Sequence, residues 1–200
     1  MGEGLVDRLG AEPDIDLDVT WLPYELHPET PVEGRPRGEY FRRDPERARQ
    51  AQEYLQQRAQ ELGLEMNTPP VIANSRRALL LAEYARDHDR FDPVNRALFA
   101  AYWVDGCNLA DESVLREVAA GAGLDPDDAL AAVARGEGSE RVSTAMDQAA
   151  AAGITGTPSF IVDDRYLIVG AQPYEWMLQA MRQIASENGA AGSAADPDQG

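Results

Sequence analysis

From residue 45 to residue 152 the chain keeps a helical period through six successive segments, and after Gly153 that period switches to alternation. A long helical block bounded by strand-like pieces restricts the fold more than any bulk property. The helices must pack on one another, and any sheet must be assembled from both ends of the chain. Asp44-Pro45 supplies a cap and a first-turn proline for a helix running to about Leu62, before Gly63. Asn74 or Ser75 caps a second, with Ala78, Leu81, Ala82 and Ala85 on one face, ending near His88. Asp92-Pro93 starts a third through Leu98, Phe99, Tyr102 and Trp103 to Gly106, and Asp111 caps a fourth to about Ala120. Asp125-Pro126 caps a fifth to about Arg135, and the sixth spans about Ser139 to Ala152.

The flanks read differently. Residues 3–9 form a short helical pattern on Leu5, Val6 and Leu9, stopped by Gly10. Leu17, Val19 and Trp21 alternate with polar positions, predicting a strand over 17–22. Pro23 would remove a ladder bond, which places that strand at an edge. Pro28, Pro31 and Pro36 mark residues 27–41 as loop. Ser159–Val162 and Tyr166–Val169 are β-rich runs joined by Asp163-Asp164-Arg165, a hairpin pattern. Residues 173–187 predict a last helix with Trp176, Leu178, Met181 and Ile184 inward, and 188–200 are too small and polar to pack, which predicts disorder.

Charge and cysteine content narrow the functions. Thirty-five acids against 18 bases give a formal charge of −17, a field that repels phosphate backbones and anionic membrane surfaces. No nucleic acid and no membrane is therefore expected as a partner. All 18 bases are arginine, which reads first as a GC-rich coding bias, with adaptation to high salt, where acidic surfaces are favoured, as the alternative. No stretch approaches the roughly 20 apolar residues of a membrane span. Met-Gly-Glu-Gly lacks the basic start and apolar run of a secretory signal, and Val6 stands where a myristoylation site needs Ser or Thr, so a cytoplasmic location is expected. Cys107 is the one cysteine, so the chain holds no internal disulfide and no C-x-x-C. It follows Asp105-Gly106 among acids that should raise its pKa, and reads as incidental. His27 and His88 stand apart without ligand neighbours and read as structural, while Asp125-Pro126-Asp127-Asp128 lacks the Gly and Glu of a calcium loop. No metal and no cofactor is expected.

Three local patterns, in order, carry a family likeness: Val19-Thr20-Trp21-Leu22-Pro23-Tyr24-Glu25-Leu26-His27-Pro28; Asn74-Ser75-Arg76-Arg77-Ala78; and Gly153-Ile154-Thr155-Gly156-Thr157-Pro158-Ser159-Phe160 leading to Gly170-Ala171-Gln172-Pro173. Over residues 5–185 the chain resembles the DsbA-like, FrnE-type branch of the thioredoxin superfamily. The resemblance implies an α/β, thioredoxin-like fold with a large all-helical insertion. Residues 1–43 and 153–187 would form the thioredoxin-like part, 44–152 the insertion and 188–200 a tail. It implies that Thr157-Pro158 is the cis-proline loop and that Thr157 and Pro158 bind substrate, cysteine-containing proteins or small thiols.

The chain departs from that family where the chemistry resides. The first strand and the C-x-x-C that follows it are missing, so no catalytic residue is present. Either the start codon is misplaced within a longer protein, or the sheet contracts by pairing 17–22 with 159–162 and leaves a redox-inactive domain. By resemblance the activity is thiol–disulfide exchange. The related kappa-class glutathione enzymes that isomerise 2-hydroxychromene-2-carboxylate, and a non-catalytic peptide-binding domain, are the alternatives. The sequence sets no oligomeric state.

Overall fold

The computed structural model of the chain describes residues 1–194. In order, these form α1 (Gly2–Gly10), β1 (Arg35–Pro36), α2 (Arg37–Tyr40), α3 (Pro45–Glu61), β2 (Val71–Ile72), α4 (Arg76–Arg86), α5 (Phe91–Trp103), α6 (Glu112–Gly121), α7 (Pro126–Arg135), α8 (Ser139–Ala151), β3 (Ser159–Val162), β4 (Tyr166–Val169) and α9 (Tyr174–Ala194). They divide into two compact units, one of Met1–Thr20 with the described chain from Gly156, the other of Trp21–Thr155.

The second unit is a helical bundle organised on α4. Leu81, Val94, Leu115 and Val142 are fully buried and belong to one apolar cluster fed by α4 to α8. Burying each such side chain contributes roughly 1.5–3 kcal/mol. Two of the predicted caps form: Asp44 accepts the Arg47 N–H at 3.0 Å, and Asp125 accepts those of Asp127 and Asp128 at 2.9 and 3.1 Å. Asp111, in contrast, makes no side-chain cap bond, and α5 begins at Phe91 rather than after Asp92. One charge sits inside this core. Glu83, 2% exposed, accepts from Arg141 at 2.7 Å and from Arg86 at 3.2 Å. Gly138, with φ +81°, lets the start of α8 approach it; a Cβ there would meet the Glu83 Cβ at 2.8 Å.

Residues 17–22 are not a strand. Their alternation is real, but from Trp21 onward the main chain is claimed by side chains of the helical bundle. Arg86 donates to the Trp21 carbonyl at 2.7 Å, and the Glu25 N–H points at the Met146 sulfur at 3.2 Å. Arg76 pairs with Glu25 at 2.8 Å. These bonds draw the chain from Trp21 to Glu25 toward the helices instead of into a ladder. The contraction of the sheet onto 159–162 therefore does not occur: among the described residues β3 pairs with β4 alone. Within 27–41, expected to be loop, two elements form instead. β1 pairs antiparallel with β2 through Arg35↔Ile72 and Pro36↔Val71, and α2 follows directly. Ladders of two residues are too short to leave a period in the sequence.

The first unit contains α1, the β3–β4 hairpin and α9. The hairpin closes through Asp163 and Asp164, both with positive φ (52° and 53°), a conformation that Asp tolerates better than most residues. Among the described side chains of α9 the buried ones are Met177, Leu178, Met181 and Ile184, while Trp176 is 48% exposed, so the inward stripe starts one residue later than expected. The helix also continues through Ala194, past the residue 187 at which the sequence ends it. Ala190, Ala191 and Ala194 have the highest intrinsic helix propensity. Of the stretch 188–200 expected to be disordered, 195–200 lie outside the described residues.

Candidate functional site

The Gly156–Pro158 turn, the start of β3 and the start of α1 meet within the first unit. The Thr157–Pro158 peptide is cis. Its surroundings hold it at three points. Ser159 Oγ donates to the Gly156 carbonyl at 2.8 Å, bracing the turn from inside. The Gly170 N–H donates to the Pro158 carbonyl at 2.8 Å, extending the hairpin register by one pair. Gly2, the first residue of α1, lies so close to the proline ring that an added Cβ would stand 2.9 Å from the Pro158 Cβ. Behind Gly2, the fully buried Leu5 and Leu9 anchor α1 in the core of the unit.

The register sets which groups remain open. With Pro158, Phe160 and Val162 facing Gly170, Ile168 and Tyr166 across the hairpin, the peptide groups of Ser159 and Ile161 turn to the opposite edge. That edge has no strand partner among the described residues. Thr157 continues it, with an exposed side chain and no hydrogen bond on its own N–H or C=O among the described residues. Beside the edge, Ile161, Leu167 and Val169 share one face of the hairpin and are 49%, 42% and 54% exposed. Pro158 is half-buried.

A polar clamp ties α1 to α9. Arg8 lies 3.7 Å from the centre of the Tyr174 ring, whose hydroxyl donates to Glu12 at 2.6 Å. Arg182 donates to Asp14 at 2.7 and 2.9 Å and to Glu12 at 3.3 Å. The Arg182 bonds hold the Asp14 carboxyl below its usual pKa, and the short bond to Glu12 raises that of the Tyr174 phenol.

The fit with known proteins is specific. A family model described as a DSBA-like thioredoxin domain matches residues 6–182. The chain belongs to that family. The crystal structure of a probable DsbA oxidoreductase from Streptomyces coelicolor superposes with a TM-score of 0.83 at 26% identity, covering 93% of this chain and 84% of that one. A putative protein disulfide isomerase from Nitrosomonas europaea shares the fold at a TM-score of 0.54 and 19% identity, over 72% and 74% of the two chains. The uncharacterized protein YwbO of Bacillus subtilis is 27% identical over 152 residues, 74% of each chain. The DSBA-like domain thus has the mostly helical, DsbA-like thioredoxin fold, with few and short strands. Among the described residues no helix is long and apolar enough to cross a membrane.

The sequence singles out Thr157 and Pro158 in this DSBA-like domain but passes over Gly2. Its contact with the proline joins residues distant in sequence, which no local pattern records. Cys107 belongs to the other unit, after α5, where its N–H donates to the Ala101 carbonyl at 2.8 Å. Burial, and then the charges of Asp105, Glu117 and Asp111, push its thiol pKa up. Both histidines have structural partners: His27 Nδ1 lies 3.0 Å from the Tyr40 hydroxyl and His88 Nδ1 lies 2.8 Å from the Tyr84 carbonyl.

Proposed function

We infer that this chain is a substrate-binding domain of FrnE-like thiol–disulfide chemistry, in which Thr157 and Pro158 receive an extended cysteine-containing polypeptide or a small thiol. The observation that carries the reading is the open edge of β3, where the peptide groups of Thr157, Ser159 and Ile161 are unpartnered among the described residues. An extended segment laid along it would gain main-chain hydrogen bonds as an added strand, and Ile161 offers its side chains an apolar contact. The patterns at Val19–Pro28 and Gly153–Phe160 favour the FrnE-like branch over the isomerase one.

Without a C-x-x-C, these 200 residues supply binding and no nucleophile pair. Cys107 does not substitute, since its thiol pKa is raised and it has no second cysteine to release a mixed disulfide. In the cytoplasmic setting we infer, the chemistry served would be reduction or isomerisation rather than the making of structural disulfides.

The test pairs binding with turnover. An extended peptide with an S-methylated cysteine should perturb the amide resonances of Thr157, Ser159 and Ile161. Ile161→Pro should abolish that response and keep the hairpin, because its N–H faces the open edge while Phe160 and Val162 carry the ladder. Insulin reduction by dithiothreitol should proceed at the uncatalysed rate in its presence. Turnover that vanishes in Cys107→Ser, or peptide shifts confined to other residues, would overturn the reading.

A further inference from the structure

Residues 35–47 hold five of the 18 arginines, Arg35, Arg37, Arg42, Arg43 and Arg47, against three acids, in a chain whose formal charge is −17. None of the five forms an ion pair among the described residues. Abundant carboxylates elsewhere make such an unpaired cluster unusual. Four of the five, Arg35, Arg37, Arg43 and Arg47, border one feature. Arg35 and Arg37 lie 5.9 and 5.0 Å from the ring centres of Tyr40 and Phe41. Those two rings, with Arg43, Asp44, Arg47, Ala48 and Ala51, line a cavity of about 250 Å³. Arg47, Ala51 and Tyr54 follow one another along a single face of α3, and Tyr54 is 60% exposed. The surface is therefore an apolar hollow with aromatic walls and a rim of cations that lack carboxylate partners among the described residues, Arg37 also donating to Gln52 Oε1 at 2.7 Å.

We propose that this surface docks an extended acidic segment of a partner protein, with one aliphatic side chain of that segment seated between Tyr40, Phe41, Ala48 and Ala51. The cavity falls below the roughly 300–1,000 Å³ of small-molecule sites and suits a single side chain. A free anion is disfavoured because the cavity walls are mainly apolar, Arg43 and Arg47 are exposed, and Asp44 lies beside them with its carboxylate capping α3. Acidic side chains on either side of an aliphatic one match both parts of the surface, and the strongly acidic remainder of the chain steers such a segment toward this basic region.

Fluorescence anisotropy with a labelled peptide Glu-Asp-Asp-Leu-Asp-Glu tests this on the full chain. The peptide should bind saturably, and the paired substitution Arg43→Glu with Arg47→Glu should weaken it at least about ten-fold, a loss of about 1.4 kcal/mol. Arg43→Gln with Arg47→Gln should weaken it less, and circular dichroism should show both variants folded, since the two side chains are exposed. Replacing the leucine by glycine, or the acids by their amides, should each reduce affinity several-fold. Equal binding to the Arg43→Glu, Arg47→Glu protein would overturn the proposal. So would equal binding of the glycine peptide, which would leave a diffuse charge effect. A concentration-dependent dimer of the protein alone, lost in the same variant, would reassign the surface to a second copy and overturn a separate partner.

Discussion

Gly2 and Pro158 stand in van der Waals contact that leaves no room for a methyl group, since an added Cβ would lie 2.9 Å from the Pro158 Cβ. The atom it meets is part of a ring and cannot swing aside. Gly2→Ala should therefore displace α1 or the Thr157–Pro158 turn and destabilise by about 1–3 kcal/mol. Gly10, at the other end of α1, has nothing within 4 Å of an added Cβ. Gly10→Ala should be neutral or stabilising by up to about 1 kcal/mol. Urea denaturation of the two variants, with amide shifts at Thr157 as a local readout, checks the contrast.

Glu83 is the buried hub between α4 and α8. Glu83→Ala removes the carboxylate that Arg86 and Arg141 share and should cost about 2–3 kcal/mol, less than the roughly 3–5 kcal/mol for breaking a fully buried pair. The discount arises because the two arginines are 33% and 44% exposed and remain hydrated. Gly138→Ala should destabilise through the same place, by steric conflict with the Glu83 Cβ and by its positive φ. Denaturant midpoints of the two single variants and the double variant should be less than additive.

Cys107 should be a slow thiol. Its iodoacetamide reactivity should rise with a midpoint above the ~8.5 of a free cysteine, because burial and neighbouring acids disfavour the thiolate. Asp105→Asn should lower that midpoint without restoring the free value, since burial is the larger cause. A midpoint at or below that of free cysteine would contradict the geometry.

Asp14 titrates below an ordinary carboxyl because Arg182 bonds its charged form. A depressed carboxylate pKa contributes stability above the unfolded value of ~3.9 and loses it as pH falls through the folded value. Carboxyl-carbon NMR should place Asp14 below ~3.9 in the native protein and near it in Arg182→Gln. The stability difference between the two should narrow once the pH drops beneath the folded value.

The helical bundle was legible because its signals are local. Asp44-Pro45 and Asp125-Pro126 carry their caps within three residues, and these bonds form. The hairpin was legible for the same reason. What escaped was set by distant partners. The alternation at Leu17, Val19 and Trp21 predicts a strand, yet Arg86 and Met146 take up main-chain groups from Trp21 to Glu25 instead. Trp176 reads as core on periodicity, but the buried stripe of α9 begins at Met177. The Pro158 site was named through a family pattern, while its contact with Gly2 bridges positions more than 150 residues apart and leaves no mark in either neighbourhood.

The uncovered aliphatic face of the hairpin gives the strong acidity of this protein a colloidal purpose. Ser159–Val162 carries no charge, and Ile161, Leu167 and Val169 present grease beside exposed peptide groups, the kind of surface on which chains clump. With every molecule at −17, approaching copies repel before those patches meet. Dilute buffer should keep the protein dispersed, whereas molar salt, which shrinks the reach of charge to ~3 Å, would strip that protection and let the sticky faces find each other.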